Sequence, residues 1–263
     1  MVYSILLPPD YSEEAYAQLY NRLRPLLPEF RRVKADALLA AKARVSSALA
    51  YLLLHRGLRA KYGFPPAAEP EFVYGKGCGK KPFLAPPWDG IFFSLSHCKT
   101  GAACALSDAP VGVDIQDIRA VKESAVQKFF DGLDLAHTRH TQTLQEAFRS
   151  PSAFCALWSR YEAYVKLTGE GIARSFADCG GLSEEFLLQN NVSVTTIPLS
   201  LDDQGGSLRS LSGKKEAAAY LSAASYGCAA LRSSSASSSK TADFRLECLD
   251  FSDFCRSLLS QHS

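Results

Sequence analysis

Long apolar runs, paired cysteines and an excess of either charge are all missing from this chain. The longest aliphatic-aromatic run, Leu49 to Leu54, falls far short of the roughly 18 residues a membrane span needs. Met1 to Asp10 lacks a basic n-region and a long apolar core, so no signal peptide is expected. Eight cysteines occur, but none forms a Cys-x-x-Cys pair and they scatter through apolar segments. That is the pattern of reduced thiols in a cytoplasmic protein, and it argues against a zinc site or a disulfide frame. Lys and Arg total 29 against 27 for Asp and Glu. A net charge of +2 gives no pull toward nucleic acid or a membrane surface. What is present is ordinary: 263 residues, 47% hydrophobic and 21% charged, enough for one large domain or two small ones.

Two segments stand out from this background. Val111-Gly112-Val113-Asp114-Ile115-Gln116 reads as an inner strand that carries a carboxylate. An isolated buried charge is very costly, so Asp114 must be paired or bound to a metal. Alternation along a strand puts Asp114 and Gln116 on one side, with Val113 and Ile115 toward the core. The second segment runs from Trp158 to Lys166. Glu162 and Lys166 are four positions apart and share a helix face. Trp158, Glu162 and Lys166 form one row, and Leu157, Tyr161, Tyr164, Val165 and Thr168 form the stripe that packs inward. Small divalent cations are held by one or two carboxylates plus substrate phosphates. Asp114 and Glu162 fit that demand.

The chain here resembles the 4′-phosphopantetheinyl transferases of the surfactin-synthetase (Sfp) type. Four segments carry the resemblance in order: Gly79-Lys80-Lys81-Pro82-Phe83-Leu84, Phe93-Ser94-Leu95-Ser96-His97, Val111 to Gln116, and Trp158 to Gly171. The match spans residues 35 to 176, and Trp158 with Glu162-Ala163 is similar to the Trp/Glu-Ala subgroup. The resemblance implies transfer of the phosphopantetheine arm of coenzyme A to a serine of an apo carrier protein, with release of 3′,5′-ADP. It implies that Asp114 and Glu162 ligate Mg²⁺, that Glu162 deprotonates the carrier serine, and that Lys166 lies near the pyrophosphate. Mn²⁺ is an acceptable substitute. His97 would contact the 3′-phosphate, with Lys76, Lys80, Lys81, Pro82 and Ser96 as further coenzyme A contacts. Gln116 stands where many bacterial members have a third acid, and would reach the ion through a water. Tyr161 stands where most members have lysine. Those two departures keep a non-catalytic coenzyme A-binding module open as an alternative. A metal-dependent phosphoester hydrolase using the same carboxylates is a second.

The expected fold is α+β. The resemblance implies two similar lobes, residues 1–112 and 113–263, related by a pseudo-two-fold axis with the active site between them, in a monomer. Helices are predicted at Tyr11–Leu27 with Ser12 as N-cap, at Ala35–Arg56 ending at Gly57, and at Val121–Phe130, Asp134–Phe148, Ser152–Thr168 and Ser252–Leu259. Strands are predicted at Phe72–Tyr74, Ile91–Leu95, Ala102–Leu106, Val111–Ile115, Phe186–Leu188, Val192–Ile197, Tyr226–Leu231 and Phe244–Leu249. Lys42 and Arg44 are weaker phosphate candidates. His137 and His140 have metal-ligand spacing but no acid cluster beside them, and Cys98 beside His97 is not expected to be a nucleophile. Asp117 to Val126, with Arg119 and Lys122, is the expected carrier-docking segment.

Overall fold

The computed structural model describes residues 1–66, 68–74, 81–133, 141–171, 174–200, 217–226 and 245–260. Strand pairing among them gives two main sheets and a hairpin. The first sheet has the order β4 (Phe92–His97), β5 (Gly101–Ser107), β1 (Val2–Leu6), β9 (Leu246–Leu249). β4, β5 and β1 are antiparallel, and β9 joins β1 in parallel. The second sheet has the order β6 (Val111–Asp117), β8 (Ala219–Tyr226), β7 (Val192–Leu199), all antiparallel. β2 (Phe72–Tyr74) and β3 (Pro82–Leu84) make the hairpin.

Side-chain alternation explains how the sheets stack. In β5, Ala102, Cys104 and Leu106 face the long helix α3 (Ala41–Tyr62), whereas Ala103 and Ala105 face the second sheet. In β6, Val111, Val113 and Ile115 meet that second face, and the even-numbered residues turn to helix α6 (Pro151–Thr168). The layers therefore run helix, sheet, sheet, helix, an α+β architecture in which both sheets are buried on two faces. Helices α1 (Glu13–Leu23), α2 (Glu29–Asp36) and α8 (Phe251–Ser260) flank the first half. Helices α4 (Glu123–Phe129), α5 (Thr141–Arg149) and α7 (Glu184–Gln189) flank the second. No helix among the described residues is long and apolar enough to cross a membrane.

Several expectations are corrected. The helix predicted over Ala35–Arg56 is two helices, α2 and α3, broken at 37–40, where Leu39 is 96% exposed. The Glu13 carboxylate, from α1, accepts the Ala41 N–H and so caps α3 from outside its own sequence. Gly57 does not end that helix. It lies inside α3, where a Cβ would sit 2.1 Å from Leu106 Cδ1, and Gly63 at φ +67° is the true C-cap. Phe186–Leu188 is helical, because Ser183 Oγ caps the Phe186 N–H at 3.1 Å and Glu184 and Glu185 occupy the first turn. A strand not anticipated occupies Ala219–Tyr226 and takes in the first residue of the strand expected at Tyr226–Leu231, whose residues 227–231 are outside the described residues. β1 and β3 were not anticipated. β9 and α8 pack with the first sheet and its core.

Candidate active site

Gly112 sets the seam between β6 and α6. A Cβ there would lie 2.0 Å from Ala163 O and 2.6 Å from Leu167 N, so only glycine allows the two backbones to touch. Two residues along the strand, on the same face, Asp114 points at the helix. Ser159 Oγ of α6 donates to the Asp114 carbonyl at 3.3 Å. The Asp114 carboxylate is almost fully buried. Its Oδ1 accepts from Lys166 Nζ at 2.6 Å and from Ser96 Oγ at 2.7 Å. Lys166 Nζ also donates to Ser96 Oγ at 3.1 Å and pairs with Glu162 Oε2 at 3.5 Å. Ser96 comes from β4, so this cluster joins the edge of one sheet to the edge of the other. Its neighbour Ser94 does the same, accepting the Val113 N–H at 3.1 Å.

The other Asp114 oxygen, Oδ2, is buried and has no hydrogen-bond donor. A buried acceptor left alone costs free energy. An oxygen-seeking cation would relieve it, and Mg²⁺ is content with one or two carboxylates, substrate phosphate and water. Among the described residues no three of His, Cys, Asp and Glu converge; the second carboxylate at this site is Glu162, which shares Lys166 with Asp114. Glu162 is mostly buried, and desolvation raises its pKa above the ordinary glutamate value; Lys166 opposes that rise and Asp114 adds to it.

Other expected residues take different positions. Gln116 shares the face of Asp114, but its Nε2 donates to Asp117 O at 3.2 Å. Ser96, expected as a coenzyme A contact, donates to Asp114 Oδ1 and accepts from Lys166 Nζ. Lys81 also differs: its Nζ donates to Val111 O at 2.8 Å and Lys166 O at 2.7 Å, and burial lowers its pKa to about 8. Pro82 opens β3 opposite Tyr74. Lys76, Lys80, His137 and His140 lie outside the described residues. Lys42 sits over the Tyr16 ring at 5.3 Å and Arg44 Nε donates to Leu38 O at 2.7 Å, so both are engaged locally. Burial raises the Cys98 thiol to about 12, which leaves it un-nucleophilic at neutral pH. Tyr161 is a core residue: it is buried against Phe129 and Phe176, and its hydroxyl donates to Arg174 O. The lysine it replaces in the resemblance has no counterpart in that apolar setting.

His97 ends β4 next to this cluster and is exposed at the surface. Desolvation presses its pKa down to about 4, with Arg31 and Lys166 adding to the shift. The ring edge stays open to water, which screens part of that shift. Arg31 was missed at the sequence level. Its guanidinium donates to Ser47 O at 3.0 Å, yet its Nε is buried without a hydrogen-bond partner. The only sequence signal was the basic run Arg31-Arg32-Val33-Lys34.

Such a site, with a carboxylate pair, a lysine between them and cations at its border, is the equipment of an enzyme that handles a phosphorylated substrate. Residues 110–229, which begin just before β6 and include all of α6, match the family model described as the 4′-phosphopantetheinyl transferase superfamily. Similar curated proteins include 4′-phosphopantetheinyl transferase psf-1 of Bacillus pumilus, 28% identical over 172 residues, or 65% of this chain and 70% of that one. The chain is 27% identical to 4′-phosphopantetheinyl transferase Sfp of Bacillus subtilis (strain 168) over 38% of this chain and 40% of the relative. It is 31% identical to 4′-phosphopantetheinyl transferase HetI of Nostoc sp. over 36% and 40%. Residues 110–229 are thus similar to the 4′-phosphopantetheinyl transferase superfamily, and the relatives that resemble the chain carry that name.

Proposed function

We infer that this protein transfers the 4′-phosphopantetheine arm of coenzyme A to a serine hydroxyl of an apo carrier protein and releases 3′,5′-ADP. The observation that carries the reading is Asp114. One of its oxygens is fixed by Ser96 and Lys166, and the other is buried without a donor, beside a second carboxylate whose proton affinity is raised.

Mg²⁺ would be held by Asp114 and Glu162, with Gln116 acting through a water and Mn²⁺ able to substitute. Bound there, it would clamp the pyrophosphate and take up charge as the anhydride bond breaks. Glu162 accepts the proton of the carrier serine, a task its raised pKa favours. The serine oxygen bonds to the phosphorus that bears the pantetheine arm. The bond from that phosphorus to the bridging oxygen breaks, and its electron pair leaves with 3′,5′-ADP. Lys166 faces the charge that develops on the leaving phosphate. His97, Arg31 and Lys76 are assigned to the 3′-phosphate.

Residues 1–112 with 245–260, and residues 113–226, are read as two lobes related by pseudo-two-fold symmetry; the helix-sheet-sheet-helix layering supports this. We read the protein as a cytoplasmic monomer that engages neither nucleic acid nor membrane. The net charge of +2 and six free thiols among the described residues support that.

The test is incubation with coenzyme A, Mg²⁺ and an apo carrier protein, read by mass spectrometry of the carrier. Gain of the phosphopantetheine mass, lost in Asp114→Asn, is the expected result. An unmodified carrier with intact coenzyme A would leave a binding module in its place. Coenzyme A consumed without a carrier would mean hydrolysis.

A further inference from the structure

Lys81 is a half-buried cation to which the proposed chemistry gives no task. Its ammonium donates to two backbone carbonyls, Val111 O at 2.8 Å and Lys166 O at 2.7 Å. Those carbonyls belong to the two elements that carry the site. Val111 opens β6, three residues before Asp114, and Lys166 lies in the last turn of α6, four residues after Glu162. The last four carbonyls of a helix have no intrahelical donor. In α6 the Val165 carbonyl accepts from Gly169 N at 3.0 Å, and the Lys166 carbonyl accepts from Lys81. A cation at that end also opposes the partial negative charge of the helix terminus.

Gly112 fixes how closely β6 and α6 approach, because their backbones touch there. Contact alone does not fix how far one slides along the other. An ammonium bonded to a carbonyl on each side does. Desolvation has already lowered the pKa of this group, as expected for a lysine that has exchanged water for fixed acceptors.

We propose that Lys81 is a positioning residue that locks the slide of β6 against α6, and so sets the spacing of Asp114 from Glu162 and Lys166. The proposal deepens the transferase reading and rests on it. It also replaces the expectation that Lys81 contacts the nucleotide.

The test compares full-length wild type with Lys81→Met, which removes the ammonium, and with Lys81→Arg, which keeps a cation able to reach both carbonyls. Mn²⁺ affinity is measured by the electron paramagnetic resonance of free Mn²⁺, without coenzyme A or carrier. The kcat and the KM for coenzyme A and for 3′-dephospho-coenzyme A are measured separately, and Tm is recorded. In Lys81→Met, Mn²⁺ affinity and kcat should each fall about 10–100-fold, the range for residues that orient metal ligands. Both KM values should change by the same factor, and Lys81→Arg should recover most of the loss. Wild-type Mn²⁺ affinity in Lys81→Met, with only Tm lowered, would overturn the proposal. A KM raised for coenzyme A but not for its dephospho form would restore the nucleotide contact. Should Lys81→Met fail to fold, Lys81→Gln takes its place in the same titrations: a loss of Mn²⁺ affinity supports the lock, and wild-type affinity overturns it. If wild type transfers nothing, the transferase reading falls, and the Mn²⁺ titration still decides the role of Lys81.

Discussion

Glu162 works against the stability of the fold it sits in. Burial raises its pKa, so between the ordinary glutamate value and the raised one the folded protein holds more protons than the unfolded chain. Stability then falls as pH climbs through that interval. Glu162→Gln removes the penalty together with the proposed base. Transfer should slow by about 10²–10⁴-fold with little change in the KM for coenzyme A. The Tm of the variant should match wild type near pH 4 and exceed it near pH 7. Tm curves that stay parallel across that range would refute the buried-base assignment. At His97 the burden falls on binding. His97→Ala should raise the KM for coenzyme A by the equivalent of about 1.5–3 kcal/mol, one charge-assisted hydrogen bond. It should barely affect 3′-dephospho-coenzyme A, and an equal penalty on both substrates would free His97 of the 3′-phosphate. At this scale the carboxylates and their lysine were legible, because four-residue helix spacing and strand alternation are local. The partners of Ser96 and Lys81 were not, because each lies on a strand or turn distant in sequence.

Elements meet here through glycine. At Gly112 the obstacles to a methyl group are backbone atoms of α6, at 2.0 and 2.6 Å, which cannot swing aside. At Gly57 the nearest atom is the end of a leucine side chain. Overpacking costs about 1–3 kcal/mol. Gly112→Ala should reach the top of that range and Gly57→Ala should cost less, as read by urea denaturation of each variant. Equal effects would mean that the β6–α6 contact is not the tighter one. Helix periodicity located α6 and α8 closely. It failed at α2 and α3, where the chain breaks at 37–40 and the Glu13 carboxylate, remote in sequence, caps the second helix. It failed at α7, where a short apolar run gave no period and the Ser183 cap decided the outcome.

For the whole molecule, the two sheets meet at the β4 and β6 edges through Ser94 and Ser96, and the segment leaving β6 carries Arg119 and Lys122 into solvent. Both are proposed to steer an acidic carrier. Charge reversal at both should lower kcat/KM for the carrier several-fold at low salt and flatten its dependence on ionic strength. Stopped reactions across a salt series would measure this, and an unchanged slope would place docking elsewhere. The sequence by itself determined the α+β class, most of the inner strands, the helix α6, and the shared face of Glu162 and Lys166 on it. Periodicity and the penalty on a lone buried charge are readable one segment at a time. Only the tertiary structure decided that 245–260 return to the first sheet, that Ser96 holds Asp114 by one oxygen, that Lys81 joins β6 to α6, and that Arg31 stands by His97. Each of these is a contact between segments remote in sequence, fixed by how the layers stack, and no local pattern records it.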